Sequence, residues 1–218
     1  AMVEFLCWLD QAISVPSDTI TESDLADKLM AFRQQQDGFL VPSFNPISGS
    51  GPNGAIVHYR AIAGADRELA SDDLLLLDSG GHYRDGTTDI TRTIAIGTPP
   101  NGAVAAYSHV LQSHIHLAMA KFPTGTNGKQ LDAIARAPLW AVGLDFAHGT
   151  GHGVGHVLSV HEGPASISKR GDVALEAGMV LSNEPGYYQT GDWGIRIENL
   201  IVVTPAKQTR FLEFETIT

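Results

Sequence analysis

The sequence predicts an α+β domain made of two similar halves arranged around one site. Two pairs of helical stretches occur, one near the start of each half, and each pair leads into short strand-like stretches carrying two carboxylates. No low-complexity segment or linker divides the 218 residues, so residues 1–218 read as one domain. The order is helix, helix, strands with Asp78 and Asp89, then helix, helix, strands with Glu184 and Glu198. Sequence identity between the halves is negligible, so the duplication is one of pattern.

Residues Ala1–Ile13 place Met2, Phe5, Leu6, Leu9 and Ile13 at helical spacing, with Pro16 and Ser17 as the stop. Thr21 with Asp24 three residues later resembles a capping box opening a second helix to about Gln36, with Leu25, Leu29 and Phe32 inward. Gly38–Asn45 reads as a strand, Pro46–Gly54 as a loop of Gly, Ser, Pro and Asn, and Ala55–Tyr59 as a short strand carrying His58. Leu74–Leu77 is an apolar run of buried-strand type, and Ile90–Ile96 is rich in β-branched residues. Between them, Gly80-Gly81 and Asp85-Gly86 are turn formers, and a bulge or bend near Gly80-Gly81 is needed to bring Asp78 beside Asp89. Period-two alternation puts Asp89, Thr91 and Thr93 on one face and Ile90, Arg92 and Ile94 on the other. After Pro99-Pro100, Gly102–Phe122 and Asn127–Ala137 are helices, with Pro138 interrupting or restarting the second. Met179–Glu184 and Gly194–Val203 complete the pattern as strands.

Composition narrows the function classes. Asp+Glu 24 against Lys+Arg 14 gives a net charge of −10, which argues against nucleic acid or an anionic membrane as partner. Bound divalent cations would offset part of that excess. The one cysteine, Cys7, sits among apolar residues and reads as a buried structural thiol. With no partner in its own chain it forms no internal disulfide, which fits a reducing, cytoplasmic compartment. No apolar run reaches membrane-spanning length, and Glu4 and Asp10 break any signal-peptide pattern.

Two carboxylates held together repel unless a proton or cation lies between them. Asp78 and Asp89 alone are equally consistent with two solvated turn residues. The stretch His148–His161, HGTGHGVGHVLSVH, holds four of the nine histidines. His148 and His152 have the i, i+4 spacing of a zinc-protease helix, but the glycines at 149, 151, 153 and 155 exclude a helix. The segment is expected to be a glycine-threaded loop that approaches a ligand closely. Arg196 and Glu198 share a face, either as a surface ion pair or as charged groups facing an internal cleft. Two Asp, two Glu and at least one His then form one constellation. Four carboxylates balance two divalent cations, and oxygen-rich ligands with one imidazole favour Mn²⁺, Fe²⁺ or Co²⁺ over a thiolate zinc site. Two such ions about 3.5–4 Å apart share a bridging water and polarise a carbonyl, which implies hydrolysis of an amide.

The segments DSGGHYRDGTTDITRT, HGTGHGVGHVLSVHEGP and NEPGYY with GIRIEN resemble the catalytic domain of the Xaa-Pro aminopeptidases (aminopeptidase P), of the pita-bread metallopeptidase family; GPNGAIVHY matches too. The resemblance runs along essentially the whole chain and implies a pita-bread fold. It places metal ligands on Asp78, Asp89, His152, Glu184 and Glu198, with Asp89 and Glu198 bridging. It places substrate-handling histidines on His58, His148 and His161, and an arginine of the site on Arg196; His156 matches no functional position. It further implies a dinuclear enzyme, with manganese as the metal and cobalt, iron or zinc as alternatives. Its metal-bridging hydroxide releases the first residue of peptides whose second residue is proline. Prolidase-type dipeptidases and methionine-aminopeptidase-like enzymes share the fold and are the alternatives, while binding modules of this fold lose the metal ligands. The resemblance also leads us to expect a fragment of a longer chain with further N-terminal domains, homodimeric when complete.

Overall fold

The computed structural model describes residues 1–14 and 19–218. The first half contains helices α1 (Met2–Ala12) and α2 (Glu22–Gln34) and strands β1 (Phe39–Pro42), β2 (Ile47–Ser50), β3 (Leu74–Ser79), β4 (Gly81–Tyr83), β5 (Gly86–Thr87) and β6 (Ile90–Ala95), with a 3-10 turn at Gly51–Ala55 after β2. The second half contains α3 (Ala103–Ala118), β7 (Lys121–Pro123), α4 (Gly128–Trp140), β8 (Gly151–Gly153), β9 (Glu162–Ile167) and β10 (Val180–Asn183). It ends with β11 (Gly186–Gln189), β12 (Trp193–Arg196), β13 (Asn199–Pro205) and β14 (Phe211–Thr216). This is the α+β pita-bread arrangement: a helix pair with antiparallel strands, twice.

The same start signal opens the second helix of each pair. In α2 the Thr21 hydroxyl accepts from Asp24 N–H at 3.3 Å while the Asp24 carboxylate accepts from Thr21 N–H at 2.9 Å. In α4 Asn127 and Gln130 make the same reciprocal pair, at 3.2 and 3.0 Å. Pro138 does not interrupt α4, which runs on to Trp140. The carbonyl that it deprives of a donor belongs to Ile134, whose side chain lies on the exposed face of the helix. α1 ends at Ala12, and the expected stop at Pro16 and Ser17 lies outside the described residues. Cys7 is exposed, against expectation. At 100° per residue it shares the outer face with Val3, while Phe5 and Leu9 face the core.

β3 is the strand on which the halves meet. It is buried along its whole length, between β2 and β6 in an antiparallel sheet. Leu75 and Leu77 pack with Phe5, Leu9, Leu25 and Leu29 of the first helix pair. Leu74 packs with Val110, Leu139, Trp193 and Ile195 of the second half. A third core joins α3 and α4 to the six-stranded sheet β7-β14-β13-β10-β8-β9 through Leu117, Leu131, Ile167, Leu181 and Ile201.

Four local expectations change. The predicted loop Pro46–Gly54 contains β2, whose Gly and Ser residues carry no strand signal of their own; β2 forms because Ile47–Ser50 completes the ladder against β3. The predicted strand Ala55–Tyr59 is a turn, because the preceding 3-10 turn redirects the chain, and the strand expected over Gly38–Asn45 is only four residues long. The turn between β4 and β5 centres on Arg84 and Asp85, one residue earlier than the Asp-Gly signal, with Tyr83 opposite Gly86.

Candidate metal centre

β3 and β6 run antiparallel in unbroken register from Leu74 opposite Ala95 to Ser79 opposite Ile90. Asp78 therefore faces Thr91, and Asp89 lies just beyond the last pair, diagonally across on the same face. At Gly80 the chain leaves this sheet to begin β4. A Cβ there would collide with the Thr88 carbonyl and the Ser43 hydroxyl, so only glycine fits the bend. Alternation along β6 holds as predicted. Thr91 donates to Glu198 Oε2 at 2.7 Å and Thr93 to the Arg196 carbonyl at 2.9 Å, so this face of β6 ties the two carboxylate strand pairs together.

His152 stands on β8 rather than in a free loop, because Gly151 and Gly153 let that short strand sit between β10 and β9. A Cβ at either glycine would strike the Ser182 or Glu162 carbonyl. Its Nδ1–H donates to the Gly153 carbonyl at 3.0 Å, which turns Nε2 towards Glu184 Oε1 at 3.2 Å and Asp89 Oδ2 at 3.5 Å. Donor atoms of Asp89, His152 and Glu198 all lie within 4.8 Å of one another. Asp78 Oδ2 accepts from Arg196 Nη2 at 2.7 Å, whereas among the described residues its buried Oδ1 has no hydrogen-bond partner.

All nine residues singled out from the sequence line a single cavity of about 380 Å³. They are Asp78, Asp89, His152, Glu184 and Glu198, with His58, His148, His161 and Arg196 around them. His156 is not among them; its ring lies outside, 3.3 Å from the Arg84 carbonyl. Glu198 is 1% exposed and Asp89 4%, a burial that carboxylates tolerate only when paired or bound to metal. Hard oxygen donors with one imidazole, plus an orphaned carboxylate oxygen, are the donor set that suits divalent cations.

The electrostatics of these side chains tell the same story. Burial pushes Glu198 well above the usual carboxylate range, helped by the neighbouring Asp89 and Asp78. Burial also lifts Asp89 to about 6, against the pull of His152. Asp78 is raised by burial, with Arg196 opposing. His152 goes the other way: burial would lower it, but the hydrogen bonds to Asp89 and Glu184 raise it to about 10. Glu184, which burial alone would raise, is held at about 2 by the His152 proton. These opposed shifts show carboxylates crowded together in a site that favours positive charge beside them.

Several partners were not singled out from the sequence. Tyr188 accepts from Arg196 Nη1 at 2.7 Å and contacts His148 Nε2 at 2.8 Å. Since His148 Nδ1 faces the Gly149 carbonyl at 2.8 Å and must donate to it, Nε2 accepts from the Tyr188 hydroxyl. Burial lifts that hydroxyl to about 12, so it remains a donor. Ser182 accepts from His152 N–H and donates to Glu184 Oε1, at 3.0 and 3.1 Å. The available signal for Ser182 was its place two residues before Glu184, on the same strand face.

The family model for metallopeptidase family M24 matches residues 1–205. The chain is 45% identical to Xaa-Pro aminopeptidase 1 of Dictyostelium discoideum and 48% identical to aminopeptidase P2 of Arabidopsis thaliana, in each case over 100% of its length. Those alignments cover 36% and 32% of the relatives, so the chain spans about a third of their length. Among solved structures it is similar to an X-prolyl aminopeptidase from Caenorhabditis elegans, described as a cytosolic enzyme with a di-nuclear active site. The TM-score is 0.95 at 45% identity, covering 100% of this chain and 36% of that one. A prolidase from Pyrococcus furiosus matches with a TM-score of 0.81 at 31% identity, over 94% and 57% of the two chains.

Proposed function

Because the chain belongs to metallopeptidase family M24, we propose that it hydrolyses the amide bond between the first residue of a peptide and a proline in second position. The observation that carries this reading is the convergence of Asp78, Asp89, His152, Glu184 and Glu198 on one cavity, with the buried Asp78 Oδ1 unpaired among the described residues. Those five side chains, contributed by both halves, would hold two divalent cations. Manganese suits the oxygen-rich set best, with cobalt, iron and zinc as alternatives. When bound, such a pair acidifies a water and polarises a carbonyl, which is the chemistry an X–Pro amide requires.

The chain's own groups supply the rest. Arg196 holds Asp78 in place and keeps the site from accumulating negative charge. Among the described residues neither ring nitrogen of His161 has a hydrogen-bond partner, and burial lowers its basicity, so it offers a neutral N–H to an oxygen that becomes negative during attack. Its ring stands edge-on to His152, with centroids 4.3 Å apart. His58 lies exposed at the rim with Val57, Phe44 and Ile47, where an apolar proline ring would pack. His148 is committed to Tyr188 and the Gly149 carbonyl, so it reaches substrate only by giving up one of them.

A dipeptidase of prolidase type is the second reading, favoured by the Pyrococcus furiosus match. A dipeptide brings a carboxylate into the cleft, and among the described residues the one lysine or arginine lining the cavity is Arg196, already bound to Asp78 and Tyr188. That supports longer peptides. Residues 1–218 act in this reading as one catalytic unit. A cytoplasmic location agrees with the cytosolic relative, and a homodimer of the complete protein rests on the family resemblance alone. Manganese reconstitution followed by metal analysis and product identification on an Xaa-Pro tripeptide and an Xaa-Pro dipeptide tests the proposal. Two metal equivalents and release of the first residue from the tripeptide are expected; cleavage of the dipeptide alone would establish the second reading.

A further inference from the structure

Glu22, the first residue of α2, is 0% exposed. Its carboxylate is solvated by neutral donors drawn from one stretch of chain. Oε1 accepts from the Ser50 N–H at 2.6 Å and the Ser50 hydroxyl at 3.2 Å. Oε2 accepts from the Tyr59 hydroxyl at 2.7 Å and from the Arg67 N–H at 3.1 Å. The Asn53 amide donates to both oxygens, at 3.1 and 3.0 Å, and also to the Tyr59 hydroxyl at 2.9 Å. Burial, and then the bond to Glu22, raise the Tyr59 hydroxyl far above its ordinary value, so it stays protonated and donating. On its other side the same stretch lies against β12. A Cβ on Gly194 would collide with the Gly54 carbonyl, so the two backbones touch directly. The segment from Ser50 to Tyr59 is therefore clamped between α2 and the strand that carries Arg196. It presents Val57 and His58 to the cavity, and the Val57 carbonyl lies 3.5 Å from Arg196 Nη2.

We propose that Glu22 and Tyr59 are positioning residues for substrate, which fix His58 at the rim of the cleft by anchoring the segment on either side of it. The proposal rests on the Xaa-Pro peptidase reading and adds to it the part of the molecule that sets the grip on the incoming peptide. Glu22 and Tyr59 do not line the cavity, and none of their hydrogen bonds goes to one of the five proposed ligands. Their effect passes through His58, which is not a ligand, and so falls on binding rather than on the bond-breaking step.

The test compares the metal-loaded protein with Tyr59→Phe, Glu22→Gln, His58→Ala and the double variant Tyr59→Phe/His58→Ala on an Xaa-Pro tripeptide. Tyr59→Phe, which removes one hydroxyl and no carbon, is expected to raise KM about tenfold, the scale of one lost hydrogen bond to a charged group, with kcat and metal content unchanged. Glu22→Gln, which sets a donor against donors, reproduces the KM effect if it folds; Tyr59→Phe carries the test in either case. The double variant should have the KM of His58→Ala alone, since residues acting through one another are not additive. The His58 ring resonances should also move in Tyr59→Phe, while those of His116, exposed on α3, stay in place. Multiplying KM effects, or a lowered Tm with unchanged KM, would overturn the proposal. If the unaltered protein cleaves no Xaa-Pro peptide, the peptidase reading fails separately. The His58 resonances then decide alone, and an undisturbed ring in Tyr59→Phe overturns the positioning role.

Discussion

Replacing Arg196 by lysine keeps the charge and removes the fork. In the native site Arg196, 2% exposed, donates Nη2 to Asp78 at 2.7 Å, Nη1 to Tyr188 at 2.7 Å and Nε to Thr91 at 3.3 Å. A lysine satisfies one of these, and the ion pair with Asp78 takes precedence because both groups are buried. The Tyr188 bond is charge-assisted, worth about 1.5–3 kcal/mol, and the longer Thr91 contact is worth about 0.5–1.5 kcal/mol. A loss of about 3 kcal/mol is therefore expected. In a chain of this size each kcal/mol moves Tm by about 2–4 °C, so the melting point should fall by roughly 6–12 °C. Asp78 also loses its fixed angle of approach, and a displacement of about 1 Å in a reacting assembly costs on the order of 10²-fold in rate. Calorimetry and metal analysis on Arg196→Lys, followed by kinetics well below its Tm, measure all three. Metal stoichiometry should be retained while kcat falls. A melting point within about 2 °C of the parent together with normal kcat would refute the argument that the planar fork is what matters.

Asp89→Asn and Glu198→Gln should each lower the metal stoichiometry and abolish hydrolysis while the protein stays folded; a fully loaded, active Glu198→Gln protein would remove that residue from the ligand set. His161→Ala should cut kcat by about 10²–10³ at unchanged metal content, the usual cost of one oxyanion donor, whereas His156→Ala should leave turnover intact; the reverse order would mean that the roles in this stretch are misassigned. Cation affinity should fall as pH falls through about 6. Asp89 and Glu198 have raised pKa values and His152 one of about 10, so low pH fills the positions that metal needs and binding must expel those protons. Titrating manganese in two buffers of different ionisation enthalpy measures the release, and no release with flat affinity between roughly pH 5.5 and 8 would contradict the assignment.

The convergence of the proposed ligands was legible because chemistry constrains residue type there more tightly than packing does. Asp78, Asp89, His152, Glu184 and Glu198 are polar residues in apolar or glycine-rich surroundings, and all five reach one cavity. What escaped the sequence was whatever a distant partner decides. β2 is a strand because β3 offers it a ladder, and no alternation within ISGS announces it. Tyr188 and Glu22 look like an ordinary strand tyrosine and an ordinary first-turn glutamate until Arg196 and the Ser50–Tyr59 segment fold against them. Cys7 was misread because neighbours in sequence stood in for neighbours in space, although helical geometry alone separates it from Phe5 and Leu9.

The bond from Thr91 to Glu198 spans 107 residues, and the ion pair of Asp78 with Arg196 spans 118. On a ribosome adding about 5–20 residues per second, the first half waits roughly 5–20 s for its counterparts. For that interval Asp78 and Asp89 are solvated carboxylates without a partner, open to whichever cation is most abundant and unable to hold it in a closed shell. If these residues hold two cations as proposed, no complete site exists until both halves have been made, and the last strands delivered then set the moment at which the ions are captured.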